Sequence, residues 1–206
     1  MGFWGFGVLG SILEVGAGTG AFADAMVKNG WQVTALEPDA SSREIAFKNY
    51  GIHLLPSVEL ENLPQSSFDV ITLWHVLEHV HDLKFYINTF KKLLKQNGRL
   101  IIAVPNHTSY DAQFYKNYWA AYDVPRHLYH FSPSSMQFLM KSNGFNLASL
   151  KPMWFDSFYV SLLSEKYKKT GLLGIVRAFI IGGVSNLIAL NSNSKASSII
   201  YEIKNS

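Results

Sequence analysis

Three glycines and two acidic residues near the start of the chain form a pattern suited to a nucleotide-like ligand. Gly16, Gly18 and Gly20 follow an apolar segment that contains Glu14, and a helical pattern comes after them. Glycines let a loop turn tightly and let a ligand approach the backbone, beside the free N–H groups that start a helix. Glu37 ends the next apolar segment, where a carboxylate can accept hydrogen bonds from ribose hydroxyls. The spacing therefore indicates an adenosine-containing cofactor without identifying it.

The same loop also fits a second cofactor class. Gly16, Gly18 and Ala21 satisfy the glycine fingerprint of dinucleotide-binding proteins. An NAD-dependent oxidoreductase is therefore kept as an alternative function.

Histidines supply the candidate acid–base groups. A general base with a pKa near neutrality helps to remove the proton of a substrate hydroxyl, and histidine is the residue whose ordinary pKa meets that need. Of the seven histidines in the chain, His127 is our first candidate for a catalytic base and His75 is the second.

The segment PRHLYHF carries Arg126, His127 and His130. It follows the predicted fifth strand, and ligands of open α/β sheets bind beyond the carboxyl ends of the strands. We therefore expect these three residues to form one wall of a substrate-binding pocket. The alternative is structural: Arg126 pairs with Asp123, and the histidines cap the helix that follows.

A metal site is not expected. The spacings His127-x-x-His130 and His75-x-x-x-His79 are compatible with metal ligation, but protein zinc sites use at least three protein ligands. The sequence shows no clear third ligand, and it contains no cysteine. The lack of cysteine also excludes disulfides and thiol nucleophiles, and it is consistent with a reducing compartment.

Short apolar runs alternate with helical patterns along the chain, which is typical of βαβ units. Ser132-Pro133 predicts the start of a helix, because serine caps helices and proline suits the first helical position. We expect a Rossmann-like, doubly wound α/β fold with a mostly parallel seven-stranded sheet and helices on both faces. The predicted strands lie at residues 11–15, 32–36, 52–55, 68–74, 99–104, 145–153 and 197–204.

Residues 154–194 separate the last two predicted strands, where a plain connection would be far shorter. They combine aromatic residues, lysines and an apolar helical pattern at 172–190, whose polar residues argue against a membrane-spanning helix. We expect a single domain over residues 1–206, in which 154–194 is a helical insertion that serves as a cap, a dimer face or a membrane contact. Residues 141–206 hold 8 basic and 3 acidic residues, but no dense basic cluster indicates a nucleic-acid partner.

Five segments resemble class I S-adenosylmethionine-dependent methyltransferases. ILEVGAGTG and ALEPD are similar to the first two motifs of that family, FDVITLWHVLEHVHD to its fourth-strand motif, and LLKQNGRLIIAVPN to its fifth-strand motif. VPRHLYHFSPSSMQFLMKSNGF resembles a bacterial small-molecule subgroup that is similar to the quinone-biosynthesis O-methyltransferases. The resemblance covers residues 11–150. It implies S-adenosyl-L-methionine as the cofactor and S-adenosyl-L-homocysteine as the product.

The resemblance also implies roles by position. Glu14 would help to hold the amino group of the cofactor, the glycines would pass under its methionine part, and Glu37 would bind its ribose. Glu59 and Leu60 would border the adenine. Trp74 and His75 would lie near the methyl group. The residues implied around the cofactor are Glu14, Gly16, Gly18, Gly20, Glu37, Glu59, Leu60, Trp74 and His75.

The start of the chain departs from the family pattern. Family members usually carry a helical segment before the first strand, whereas about ten residues precede Ser11 here. We therefore expect this lid to be absent or replaced. These first residues also lack the basic start and the cleavage site of a signal peptide.

The leading functional interpretation is methyl transfer to a small-molecule or lipid-like acceptor, as O-methylation with a histidine general base. A non-catalytic methyltransferase-like scaffold is a further alternative. We expect a cytoplasmic protein without a nucleic-acid partner. The insertion leaves open a peripheral membrane contact and a homodimer.

Overall fold

The computed structural model describes residues 10–205. Our expectations about the first nine residues, on the lid and the signal peptide, lie outside the described residues. The strands are β1 Ser11–Val15, β2 Gln32–Leu36, β3 Phe68–Trp74, β4 Leu94–Pro105, β5 Phe145–Pro152 and β6 Ser198–Asn205. The helices are α1 Ala21–Lys28, α2 Ala40–Tyr50, α3 Leu83–Leu93, α4 Tyr110–Tyr115, α5 Pro133–Ser142, α6 Asp156–Tyr167 and α7 Gly171–Asn191.

The described strands form one mixed sheet in the order β2-β1-β3-β4-β6-β5. Strand β1 pairs in parallel with both β2 and β3, as strands joined by helical crossovers do. Ser132 caps α5 by accepting a hydrogen bond from the N–H of Ser135, with proline next in the chain, so the predicted start of that helix is confirmed. The architecture is the expected Rossmann-like arrangement of strands and helices.

The prediction of seven strands differs from the six found in the described residues, and the difference lies at residues 52–55. Leu55 forms only an isolated parallel bridge with Leu36. Its N–H donates to the carbonyl of Ala35, and its own carbonyl accepts from the N–H of Glu37, both at 2.9 Å. Pro56 follows and has no N–H with which to extend the pairing. The segment is therefore limited to one bridge.

Contacts divide the described residues into two compact units. One comprises the described residues up to Trp74 together with Leu83–Ile101 and Asn205, and the other comprises His75–Asp82 and Ile102–Lys204. Small buried side chains let the helices of the first unit approach closely. A Cβ atom added at Gly20, just before α1, would lie only 2.9 Å from the Cβ of Ala46 on α2. This approach fixes the loop that enters α1.

A fully buried carboxylate cross-links the second unit. Asp111, in the first turn of α4, accepts a hydrogen bond of 2.8 Å from Nε1 of Trp119. It also accepts 2.7 Å bonds from the hydroxyls of Ser185 on α7 and Ser197 just before β6. Burying a charge is costly unless it is hydrogen-bonded, and these three donors meet that need. Asp111 therefore ties α7 and the start of β6 to α4.

Residues 154–194 contain the helices α6 and α7, which pack tightly against each other as a hairpin. A Cβ atom at Gly182 of α7 would lie 2.7 Å from Cδ1 and 3.0 Å from Cα of Phe158 on α6. The next residue, Gly183, would place its Cβ with no heavy atom within 4 Å. The close contact of the two helices thus depends on glycine at one position and not at its neighbour.

This pair of glycines provides a matched test of the hairpin. We expect Gly182→Ala to lower the free energy of unfolding by roughly 1–3 kcal/mol, because the added methyl forces α6 and α7 apart. Gly183→Ala should be neutral or stabilising by up to about 1 kcal/mol, since alanine favours helix. Urea denaturation followed by circular dichroism measures both, and equal effects of the two substitutions would contradict the packing.

Candidate functional site

The glycine loop of the first unit is held in place by backbone hydrogen bonds. The N–H groups of Gly16 and Ala17 donate to the carbonyl of Leu36 at 2.8 and 2.9 Å. Gly18 has a φ of +53°, a left-handed conformation that favours glycine, and a Cβ there would meet no heavy atom within 4 Å. The loop is therefore rigid where it meets the sheet, and it has open space beside Gly18.

Glu37 connects the end of β2 to this loop. Its Oε2 accepts a 2.8 Å hydrogen bond from the N–H of Gly18, and its Oε1 accepts a 3.0 Å bond from the N–H of Asp39. A carboxylate has about four lone-pair sites, so two further donors can bind. Glu37 thus orients the loop and keeps capacity to accept bonds from a pair of hydroxyls.

Glu14 is a buried carboxyl group with an unsatisfied atom. Only 3% of the residue is exposed, and its Oε2 has no hydrogen-bond partner among the described residues. Burial raises the pKa of Glu14 to about 8, opposed by a backbone hydrogen bond from Ala23 and assisted by the charge of Glu37. A ligand with a cationic amine would stabilise the charged form of this group. With the open loop and Glu37, these features fit a cofactor that carries both an amine and a ribose.

The remaining residues implied around the cofactor in the first unit are placed as follows. Leu60 is buried in a short 3₁₀ helix, Ser57–Asn62, and Glu59 of the same turn accepts a 3.0 Å hydrogen bond from Asn62. Trp74 ends β3 with its ring 5.3 Å from that of Phe22, edge to face. Its buried indole N–H has no partner among the described residues, so it can donate a hydrogen bond to a ligand.

His75 opens the second unit in an unusual conformation. It has a φ of +55°, which residues with a side chain rarely adopt. Its Nδ1 lies 3.3 Å from Oε1 of Glu78, and its Nε2 lies 3.0 Å from Oδ2 of Asp156 on α6. Burial alone would lower the pKa of His75, but the hydrogen bonds to Asp156 and Glu78 outweigh it and raise the pKa to about 10. As arranged, His75 holds a proton on both nitrogens.

His127 has the opposite character. Its Nδ1 donates to the carbonyl of Ala121 at 2.8 Å, which leaves Nε2 of the neutral ring with a free lone pair. Its pKa is lowered, chiefly by burial. His79 is oriented in the same way, with Nδ1 at 3.0 Å from the carbonyl of Arg126, and the two imidazole rings lie 4.6 Å apart. Of the two base candidates, His127 is the one with a free acceptor nitrogen.

Glu78 completes this cluster. The residue is 1% exposed, and its Oε2 has no hydrogen-bond partner among the described residues. One ligand atom each from Glu78, His79 and His127 lies within 4.8 Å of the others. Two imidazoles and a carboxylate form a donor set able to hold a divalent cation such as zinc. Glu78, the immediate neighbour of His79, is thus a candidate for the third ligand that the sequence pattern did not show.

The other residues of PRHLYHF make structural contacts. Arg126 is largely exposed and pairs with Asp123 at 2.7 Å, as the structural alternative predicted. His130 hydrogen-bonds through Nε2 to the carbonyl of Tyr122 at 3.0 Å, so it does not join His127 in a ligand pair. Asp156 was missed by sequence reasoning, because nothing local marks it as the partner of a histidine 81 positions earlier.

Comparisons with known proteins agree with this geometry. A family model described as a methyltransferase domain matches residues 4–150. The ubiquinone biosynthesis O-methyltransferase of Schizosaccharomyces pombe is 31% identical over 106 residues, which cover 47% of this chain and 38% of that protein. The matches to the first curated relatives span about half of their length or less.

Solved structures resemble the chain over nearly its whole length. A SAM-dependent methyltransferase from Archaeoglobus fulgidus aligns with a TM-score of 0.61 at 17% identity, covering 96% of this chain and 86% of that one. A [4+2]-cyclase aligns with a TM-score of 0.63 at 15% identity, covering 96% and 75%. At these identities the likeness shows the fold alone.

The ion pairs of His75 should make stability depend on pH above neutrality. Its folded-state pKa of about 10 exceeds the value of an unfolded histidine, about 6.5. The stabilisation is therefore complete below a pH of about 6.5 and is lost as the pH rises towards about 10. His75→Gln should remove this part of the decline in the free energy of unfolding.

Urea denaturation between pH 6 and pH 10 measures the effect. The exposed His53 offers a control, since His53→Gln should keep the wild-type pH dependence. If the free energy of unfolding changes with pH equally in wild type and His75→Gln, the ion pairs do not stabilise the fold.

Proposed function

Because this chain belongs to the methyltransferase-domain family, we propose that it transfers a methyl group from S-adenosylmethionine to a small-molecule acceptor. The observation that carries the proposal is the glycine loop with its acidic partner: Glu37 accepts the N–H of Gly18 at 2.8 Å while keeping acceptor capacity. When bound, the cofactor supplies a methyl group on a sulfonium that is already a good leaving group. The protein then has to align the acceptor and exclude water.

The residues of the first unit are proposed to hold the cofactor. Glu14 would pair its unsatisfied Oε2 with the amino group, and Glu37 would accept the ribose hydroxyls. Glu59 and Leu60 would border the adenine. Trp74 is proposed to lie near the methyl end, with His75 next to it in the chain. The loop glycines are Gly16, Gly18 and Gly20.

O-methylation of a small or lipid-like acceptor is the favoured reaction. The support is the similarity to O-methyltransferases such as the ubiquinone biosynthesis O-methyltransferase of Pasteurella multocida, which is 31% identical over 113 residues. We propose His127 as the general base that removes the acceptor's hydroxyl proton, because its Nε2 is free and its lowered pKa keeps the ring neutral. Arg126 and His130 are proposed to border the acceptor. His75, the second base candidate, is proposed to remain protonated between Glu78 and Asp156.

We further propose that the chain acts as one methyltransferase domain, carrying the 154–194 helices as an insertion, in the cytoplasm. The support for the compartment is the absence of cysteine from the sequence, which suits a reducing environment. The candidate cation ligands Glu78, His79 and His127 also belong to the acceptor cluster, and the proposed reaction does not depend on a bound metal.

Titration calorimetry with S-adenosylhomocysteine and with NAD tests the cofactor. We expect S-adenosylhomocysteine to bind and NAD not to bind. Glu37→Ala should lower the affinity for S-adenosylhomocysteine by about 10- to 100-fold, because hydrogen bonds to a charged group are lost. Glu44→Ala, which removes an exposed carboxylate from α2, should leave the affinity unchanged. If NAD binds and S-adenosylhomocysteine does not, the protein would instead be identified as an oxidoreductase.

The base is tested by steady-state kinetics with a phenol that carries an alkyl chain. His127→Ala should lower kcat by about 10²- to 10⁴-fold while KM for S-adenosylmethionine stays the same. Since the pKa of His127 is lowered, the wild-type rate should fall only at acidic pH. His107→Ala serves as the control, because His107 contacts the fold through its backbone N–H. Equal losses in both variants would contradict the base role, and cofactor binding without any turnover would favour the scaffold.

A further inference from the structure

Helix α7 presents its large apolar side chains outward and its small side chains inward. Its buried positions are chiefly Gly174, Ala178, Gly182, Ser185 and Ala189. Its exposed positions lie along one face of the helix, each more than half exposed: Leu172, Leu173, Val176, Phe179, Ile180, Leu187 and Leu190. We name this second set the α7 outer face. A surface helix in water shows the reverse arrangement, whereas helices that contact lipid bury small residues against one another.

The α7 outer face cannot turn inward, because the opposite side of the helix is anchored. Ser185 donates to the buried carboxylate of Asp111 at 2.7 Å. Asn186 donates to the carbonyl of Trp154 at 2.7 Å, and Gly182 lies against the backbone of Phe158. The face extends over 19 residues, from Leu172 to Leu190, which is about 28 Å of helix. It is therefore a fixed apolar strip.

Aromatic residues of α6, and of the turn just before it, continue this surface. The ring of Phe179, on the α7 outer face, lies 5.9 Å from that of Phe158. Phe155, the residue before α6, and Tyr159 of α6 are also exposed, at 81% and 64%. Aromatic rings beside an aliphatic strip are typical of segments that lie at a membrane–water interface.

The exposed charges of the hairpin have one sign. Lys166 and Lys169 are exposed just before Leu172. The acidic residues of the hairpin are both engaged elsewhere: Asp156 pairs with His75, and Glu165 is buried against Arg177. The charge next to the apolar strip is therefore positive, which complements anionic lipid headgroups.

We propose that the α7 outer face docks on an anionic membrane surface, with α7 lying in the plane of the interface and Lys166 and Lys169 against the headgroups. α7 is long and apolar enough to span a bilayer, but its anchored side keeps it on the protein. A second copy of the chain is the alternative occupant of this face, since a symmetric contact repeats the same patch, and the oligomeric state in solution decides between the two. The inference rests on the hairpin alone and is independent of methyl transfer.

Sedimentation of the full chain with lipid vesicles tests the proposal. Wild type should pellet with vesicles of equal parts phosphatidylcholine and phosphatidylglycerol, and far less with phosphatidylcholine alone. Leu173→Asp combined with Val176→Asp should abolish binding, since it places charges in the apolar strip. Replacing Lys166 and Lys169 by alanine should weaken binding by about fivefold per lysine.

Phe138→Asp is the matched control, because Phe138 of α5 is 75% exposed and lies outside the hairpin. It should bind vesicles like wild type, and circular dichroism should show all variants folded. Wild type remaining in solution with anionic vesicles, or binding neutral vesicles equally, would overturn the proposal. A dimer in analytical ultracentrifugation that the combined Leu173→Asp and Val176→Asp substitutions dissociate would also overturn it. Binding of S-adenosylhomocysteine, measured on the same samples, reports on the proposed function separately.

Discussion

A carboxylate can be buried only if donors reach it, and this constraint organises both units of the molecule. In the first unit, Glu37 collects the N–H groups of Gly18 and Asp39 and so fixes the loop after β1. In the second, Asp111 collects an indole and two hydroxyls from segments as far away as Ser197. Each buried carboxylate needs hydrogen-bond donors, and its donors come from different elements of the chain. The hydrogen bonds therefore hold those elements together.

Two buried acids depart from this rule, and both belong to the candidate site. Glu14 and Glu78 each leave one oxygen without a partner among the described residues. A buried polar atom without a partner is destabilising, and such atoms collect at functional sites. Glu14 lies in the unit that carries the glycine loop, and Glu78 lies beside His79 and His127. The unsatisfied atoms thus distinguish acids that serve the fold from acids available to a ligand.

The sequence predicted what depends on local spacing. The glycine loop and the cap at Ser132 follow from neighbouring residues, and both are found as expected. Glu37 lies beside that loop, and its role in binding a ribose stays a prediction. The extra strand at 52–55 failed because its length depends on partners in space and on Pro56 rather than on its own apolar residues. For a similar reason, the sequence could not predict which histidine is protonated and which is neutral. The pKa of His75 depends on Asp156 and that of His127 on its burial, while the carbonyl of Ala121 decides which nitrogen of His127 carries the proton. No local pattern marks any of these.

The single bridge at Leu55 has a consequence for association. β2 is the outermost strand of the sheet, and an open edge strand is a template on which another chain can add a strand. Leu55 occupies the backbone groups of Ala35 and Glu37 at this edge, and Pro56 stops the pairing from continuing. A segment too short to count as a strand therefore shields this end of β2 from edge-to-edge aggregation.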